Sequence, residues 1–211
     1  MGQTDTKKSI LDAAEKLFSR HGFSSTSLRM LTKEAGVNLA AVNYHFGSKE
    51  ELIKAVIERR LLPLNRLRTA KLQGVKKCAE EEKRLPGVRE VLLAFMEPTF
   101  AFRKSGEGAQ NFITLIGRTF SEPEGTVREI FLDLVRPVFQ LLHDLLCEAL
   151  PQVRRDVIFC RLHFTLGAMG HAMNMHHMSC LVPDGLDFKI DADSMSEQFV
   201  DFVVSGLEAS V

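Results

Sequence analysis

Residues 28–52, LRMLTKEAGVNLAAVNYHFGSKEEL, constrain the fold most tightly: two short apolar patterns flank a glycine, and a long helical pattern begins directly afterwards. Leu28, Leu31 and Ala35 recur at helical spacing, so residues 28–35 have one stripe to bury. Gly36 ends that helix, because glycine enters the left-handed conformation of a tight exit without a Cβ clash, and Asn38 supplies an N-cap for the next. The turn is about three residues long, the span of a helix-turn-helix. Ser48 and Glu51 stand at capping-box spacing and open a further helix.

Val42 and Phe46 sit one turn apart and are expected to face inward. At roughly 100° per residue, Ala40, Ala41, Asn43 and Tyr44 then point away from the core, with Leu39 and His45 on the flanks. A helix face without an acid suits a DNA groove. Asn bonds an adenine edge in bidentate fashion, Ala permits close approach and touches a thymine methyl, and Tyr reaches phosphate. Lys49, in the first turn of the following helix, is placed for a phosphate. Together with Thr26, Ser27, Arg29 and Asn38, these residues form the candidate DNA-binding set.

The stretch from Gly22 to Leu52 resembles the DNA-binding domain of TetR-family transcriptional repressors. The resemblance lies in the pair Gly22 and Phe23, the helix start at Thr26 and Ser27, the turn Ala35, Gly36, Val37, and the run from Tyr44 to Glu50. Asn43 departs from the Tyr that many members carry there, which implies a lost phosphate contact or base reading at that position. The fold implied is all-α: a three-helix DNA-binding domain followed by a helical ligand-binding and dimerisation domain.

A chain of 211 residues, 45% hydrophobic, buries a substantial core in one domain or two. Its net charge of zero conceals a division. Residues 1–77 hold 15 Lys or Arg against 7 Asp or Glu, a balance of +8, whereas residues 78–211 hold 12 against 20, a balance of −8. A basic module for a polyanion is thus joined to an acidic one with another task. Cys78, Cys147, Cys160 and Cys180 are scattered without a CxxC, which fits a reducing cytoplasm. The polar start MGQTDTKKS and the lack of an 18-residue apolar run argue against secretion and membrane spanning.

Taken in order, Ile10, Leu11, Ala14, Leu17 and Phe18 make an amphipathic stripe ended by Gly22. The helix from Ser48 is expected to run past Arg60 towards residue 80, with Pro63 a possible kink; its second half, a basic block followed by an acidic one, reads as a solvated face or as a lever between modules. Pro86 and Gly87 then read as punctuating the boundary between the two modules. Residues 88–104, 109–121, 125–150, 154–181 and 193–209 are each helix-periodic, and no strand alternation competes. Residues 125–150 present Phe131, Leu134, Val135, Val138, Phe139, Leu142, Leu145 and Leu146, a surface wide enough to be buried on most sides. Gly167, Ala168, Gly170 and Ala172 permit close helix packing, and with the last helix they suggest a four-helix interface between two copies. Residues 1–50 form the expected DNA-binding domain and 51–211 the expected effector and dimerisation domain.

The second domain holds twelve of the 15 Phe and most of the eight Met, a composition suited to a malleable pocket and equally to an ordinary core. Phe95, Phe112, Leu115, Phe131, Val135, Phe139 and Met169 are its candidate walls. VNLAAVNYHFGSKEEL, with the looser GRTFSEPEG and RLHFTLGAMGHAM, resembles the PsrA-type fatty-acid-responsive branch of the TetR family. That resemblance implies a long-chain fatty acid or its coenzyme A thioester as effector. Arg118, Arg136 and Arg161 each interrupt an apolar helical region, so they are the candidate anchors for an acyl carboxylate or phosphate, against salt bridging as the plain alternative.

In MGHAMNMHHMSC, residues 169–180, Met173, His177 and Cys180 share a helical face, yet one helix supplies few converging ligands and packing is the expected role. No metal and no cofactor is expected. Phosphate-loop, GxSxG and HExxH motifs are missing from the sequence, which argues against an enzyme. The expected function is a cytoplasmic, homodimeric repressor that binds a pseudo-palindromic double-stranded operator and is released by a small apolar effector. The alternatives are a multidrug- or aromatic-responsive repressor of an efflux operon, and a helical interaction module without DNA binding.

Overall fold

Helical periodicity runs through the whole chain, and the computed structural model, which describes residues 3–119, 125–173, 182–185 and 192–209, follows it. Among the described residues the regular elements are α1 (Gln3–His21), α2 (Leu28–Ala35), α3 (Leu39–Phe46), α4 (Lys49–Glu81), α5 (Val88–Arg103), α6 (Glu107–Thr119), α7 (Gly125–Ala149), α8 (Arg155–Met173) and α9 (Ala192–Glu208). The part of the expected helix 154–181 that follows Met173, with His176, His177 and Cys180, lies outside the described residues.

The chain forms two units, each of two segments: residues 1–64 with 102–136, and 65–101 with 137–211. Two of the three divisions fall beside Pro63 and Pro137, inside α4 and α7, and the third falls near the end of α5. Each proline removes one intrahelical N–H bond, yet both helices continue through it.

In the first unit, Ile10, Leu11, Ala14, Leu17 and Phe18 of α1 are buried as their spacing predicts, in one cluster with Leu31, Val42, Leu52, Ile53, Ile57, Leu61, Phe112, Leu115 and Val127. Phe18 meets Phe23 with centroids 5.6 Å apart, and full burial of such a side chain contributes about 1.5–3 kcal/mol. A buried ion cluster crosses this core. Glu15 of α1, 2% exposed, accepts from Arg59 Nη2 at 2.5 Å, Arg60 Nε at 2.9 Å and Arg60 Nη2 at 2.8 Å. Hydrogen bonding to Glu15 holds the Arg60 guanidinium above its ordinary range. Gly108 of α6 lies against this cluster so closely that a Cβ would stand 2.0 Å from Arg60 Nη2.

In the second unit, Leu72, Leu92, Phe95, Met96, Leu142, Leu146, Ile158, Leu162 and Leu207 are buried. Polar ties join its helices: Lys71 with Glu97 at 2.8 Å, Arg89 with Asp201, and Arg161 Nη1 donating to the Leu207 carbonyl at 2.7 Å. The α7 surface expected to be buried on most sides is not uniform. Val138, Leu142, Leu145 and Leu146 are buried, whereas Phe131, Leu134, Val135 and Phe139 are half-buried, since one helix serves two cores.

Candidate nucleic-acid interface

Each turn of the helix-turn-helix is held by a bond between residues close in sequence. Ser27 caps α2 by accepting from the Met30 N–H at 3.2 Å. Gly36 has φ 65°, the left-handed exit its position demands, and the Val37 N–H returns to the Thr32 carbonyl at 3.0 Å. Asn38 Oδ1 then accepts from the Ala41 N–H at 2.9 Å and starts α3. Gly47, at φ 74°, closes it. A side chain at either glycine would be strained, whatever the room around it.

Between these caps, one face of α3 is exposed. Val42 is 2% exposed in the core and Phe46 is half-buried, so Leu39, Ala40, Asn43 and Tyr44 face solvent; Tyr44 is 74% exposed and meets the His45 ring edge-on at 5.2 Å. Ala41 and His45 are half-buried on the flanks. The first turn of α3 holds no acid. Arg29 and Lys33 are exposed on α2. The Lys49 ammonium sits 4.3 Å over the Phe23 ring and 3.4 Å from the Ser24 carbonyl, which orients a cation beside the end of α3.

Two expectations are corrected. Thr26, placed among the DNA contacts, is 1% exposed, and its hydroxyl donates to the Gly22 carbonyl at 2.8 Å and reaches the Leu17 carbonyl at 3.3 Å. Its side chain closes the loop after α1 and meets no solvent. The capping box at Ser48 is made in one direction: Ser48 Oγ accepts from the Glu51 N–H at 3.1 Å, while the Ser48 N–H donates to the Phe46 carbonyl at 2.8 Å. One residue escapes the sequence reading. Lys7 of α1 lies 5.8 Å over the Phe46 ring, bringing a further cation to the end of α3. The KK pair at residues 7 and 8 is visible in the sequence, but its nearness to residue 46 is a tertiary fact.

The residues named for an effector divide between the two units. Phe112, Leu115, Phe131, Val135, Arg118 and Arg136 fall in the first; Phe95, Phe139, Arg161 and Met169 fall in the second. Phe112 and Leu115 are core residues at 4% and 2% exposure. Phe139 meets Phe159 edge-on at 6.0 Å, and Met169 is buried on α8. Arg136 points outward and pairs with Asp133 at 3.3 Å, while Arg161 ties α8 to the end of α9. Arg118 lies near the end of α6. A surface hollow of about 300 Å³, lined by Ser9, Asp12, Ala13, Lys16, Glu34 and Ala35, contains the Lys16–Glu34 pair and is polar rather than apolar. Among the described residues no three His, Cys, Asp or Glu side chains converge as metal ligands, and no helix is long and apolar enough to cross a membrane.

Residues 10–56 match the family model of the bacterial regulatory proteins, tetR family, and residues 93–206 match the tetracyclin repressor-like C-terminal domain. The chain is 34% identical over 100 residues to the HTH-type transcriptional regulator AcrR of Shigella flexneri, a stretch covering 45% of this chain and 42% of that one. It thus spans less than half the length of this curated relative. Two solved structures have a similar fold. NalD, the secondary repressor of the MexAB-OprM multidrug efflux pump in Pseudomonas aeruginosa, has a TM-score of 0.67 at 22% identity, covering 97% of this chain and 98% of that one. The transcriptional regulator FadR from Bacillus subtilis, solved in complex with stearoyl-CoA, has a TM-score of 0.64 at 15% identity, covering 94% and 98%. At these identities the two structures speak for the fold alone.

Proposed function

The chain belongs to the TetR family of bacterial regulatory proteins, a DNA-binding transcriptional regulator rather than an enzyme, and from that premise we propose a homodimeric repressor whose operator complex is released by a long-chain fatty acid or its coenzyme A thioester. Residues 1–50 are the DNA-binding domain in this reading, and residues 51–211 bind the effector and pair the two copies. The observation that carries it is the exposed, acid-free face of α3, held in place by the Ser27, Gly36 and Asn38 caps. Two copies of that face require two half-sites, so the operator is pseudo-palindromic. An effector releases it only by as much as it prefers the conformation that does not bind DNA.

On α3, Asn43 reads a base edge, and at the start of α4 Lys49 holds a phosphate. Asn43→Ala should therefore lose roughly 1–3 kcal/mol at the operator and almost nothing on random duplex. Lys49→Ala should weaken both alike and reduce the salt slope by about one. Fluorescence anisotropy with operator and scrambled duplexes measures both. An Asn43→Ala protein that discriminates as well as the parent removes that residue from base reading.

The acyl effector is supported by the sequence resemblance to the PsrA-type branch. Each buried methylene contributes about 0.8 kcal/mol, roughly a fourfold gain in affinity, so the concentration needed for release should fall steadily with chain length until the site is full. Titrating the operator complex with fatty acids and acyl-CoA thioesters of increasing length reads this directly. A flat series sinks the acyl reading. Release by a planar aromatic drug alone would place the protein with multidrug-responsive repressors.

A further inference from the structure

Arg68 is buried in the second unit at 5% exposure, and among the described residues no carboxylate reaches it. Its neighbours are neutral. Nη1 donates to Asn65 Oδ1 at 3.1 Å, Nη2 donates to Thr99 Oγ1 at 2.6 Å, and the guanidinium lies over the Phe95 ring, 4.4 Å from its centroid. Nε is buried with no partner. Glu97, two residues from Thr99, is exposed and held by Lys71 at 2.8 Å. Burial pushes the Arg68 pKa down to about 10, so the group keeps its charge at neutral pH.

A buried charge without a counter-ion is a standing cost to the fold, and a guanidinium meets that cost when a carboxylate takes two of its N–H groups side by side. The unpartnered Nε and the adjacent Nη2 make such a fork. Phe95 supplies an apolar surface directly beneath it. We infer that Arg68 is the anchor for the anionic head of the effector, a carboxylate-bearing amphiphile whose head takes the Nε and Nη2 edge of a guanidinium that Asn65 and Thr99 hold in place. The inference rests on the effector-gated reading above and names a residue outside the set Arg118, Arg136 and Arg161.

The test compares acid and alcohol probes on the intact chain by calorimetry: myristate against tetradecanol, and 2-naphthoate against 2-naphthol. The parent should bind the acid roughly ten- to a hundredfold more tightly than the alcohol, the range of a hydrogen bond to a charged group. Arg68→Met should erase that preference while leaving the alcohol's affinity within about threefold, and its Tm should shift little, because relief of a buried unpaired charge offsets the donors lost to Asn65 and Thr99. Should Arg68→Met melt early, Arg68→Gln keeps amide bonding to Asn65 and Thr99 and gives the same readout. Acid preference retained in the variants, or no acid preference by the parent in either pair, overturns the anchor. Acid preference confined to 2-naphthoate and lost with Arg68 keeps the anchor and sinks the acyl effector.

Discussion

Glu15→Ala should destabilise the protein by about 3 kcal/mol, the lower end of the range for breaking a buried ion pair. The lower end applies because Arg59 and Arg60 keep 23% and 29% of their side-chain surface exposed, so water compensates part of the loss. The glutamate itself has no such recourse: its two oxygens accept three N–H groups in the core between α1 and α4. Urea denaturation should show a lower midpoint at unchanged slope, and Glu15→Gln should fall between the two. Gly108→Ala probes the same cluster from α6, since its Cβ forces Arg60 Nη2 away from Glu15 Oε1. The two substitutions should be less than additive together, because both break one bond network. A Glu15→Ala midpoint indistinguishable from the parent would mean that solvent already satisfies these arginines. Operator binding should weaken with the loss, because α1 packs against α2 and α3.

The helix-turn-helix is legible in the sequence because its determinants are local. Ser27 bonds to residue 30, Gly36 to residue 32 and Asn38 to residue 41, all within reach of spacing rules. Thr26 misleads because its hydroxyl, bonded to the Gly22 carbonyl four residues back, is turned inward against the Leu17 carbonyl nine residues back, along a loop whose path spacing does not specify. Arg68 sits in a basic block that reads as a solvated face, and only the arrival of Thr99 and Phe95 from α5 shows the charge to be buried. Arg136 shows the reverse. It interrupts an apolar helix, yet Asp133 one turn earlier pairs with it on the outer face. Apolar periodicity identifies α7 as a helix, but not that Pro137 divides it between two cores. Helix existence and caps are near-neighbour properties; which charges become buried is decided by elements distant in sequence.

Phe164→Glu combined with Phe202→Glu should turn the proposed dimer into a folded monomer. Phe164 on α8 and Phe202 on α9 are 68% and 70% exposed, and Phe159 is 53% exposed. Such rings contribute little to the stability of a single chain, where surface substitutions usually stay within about 0.5 kcal/mol. Paired with a second copy across α8 and α9, each would bury apolar surface worth up to about 1.5–3 kcal/mol, and symmetry doubles the count. A glutamate at the same place brings an unpaired carboxylate into a desolvated interface. The dimer dissociation constant should therefore rise at least about a hundredfold, and operator affinity should fall with it, because one recognition helix holds only one half-site. Gly170→Leu tests the same face by volume: a Cβ there meets nothing within 4 Å in the single chain, so a loss of about 1–3 kcal/mol on Leu but not on Ala is expected from a partner helix. Sedimentation velocity across a dilution series reads the assembly, and a thermal melt at the lowest concentration reads the monomer. An intact dimer in the double variant moves the interface elsewhere, and a variant that is unfolded as well as monomeric shows that these phenylalanines hold the chain rather than the pair.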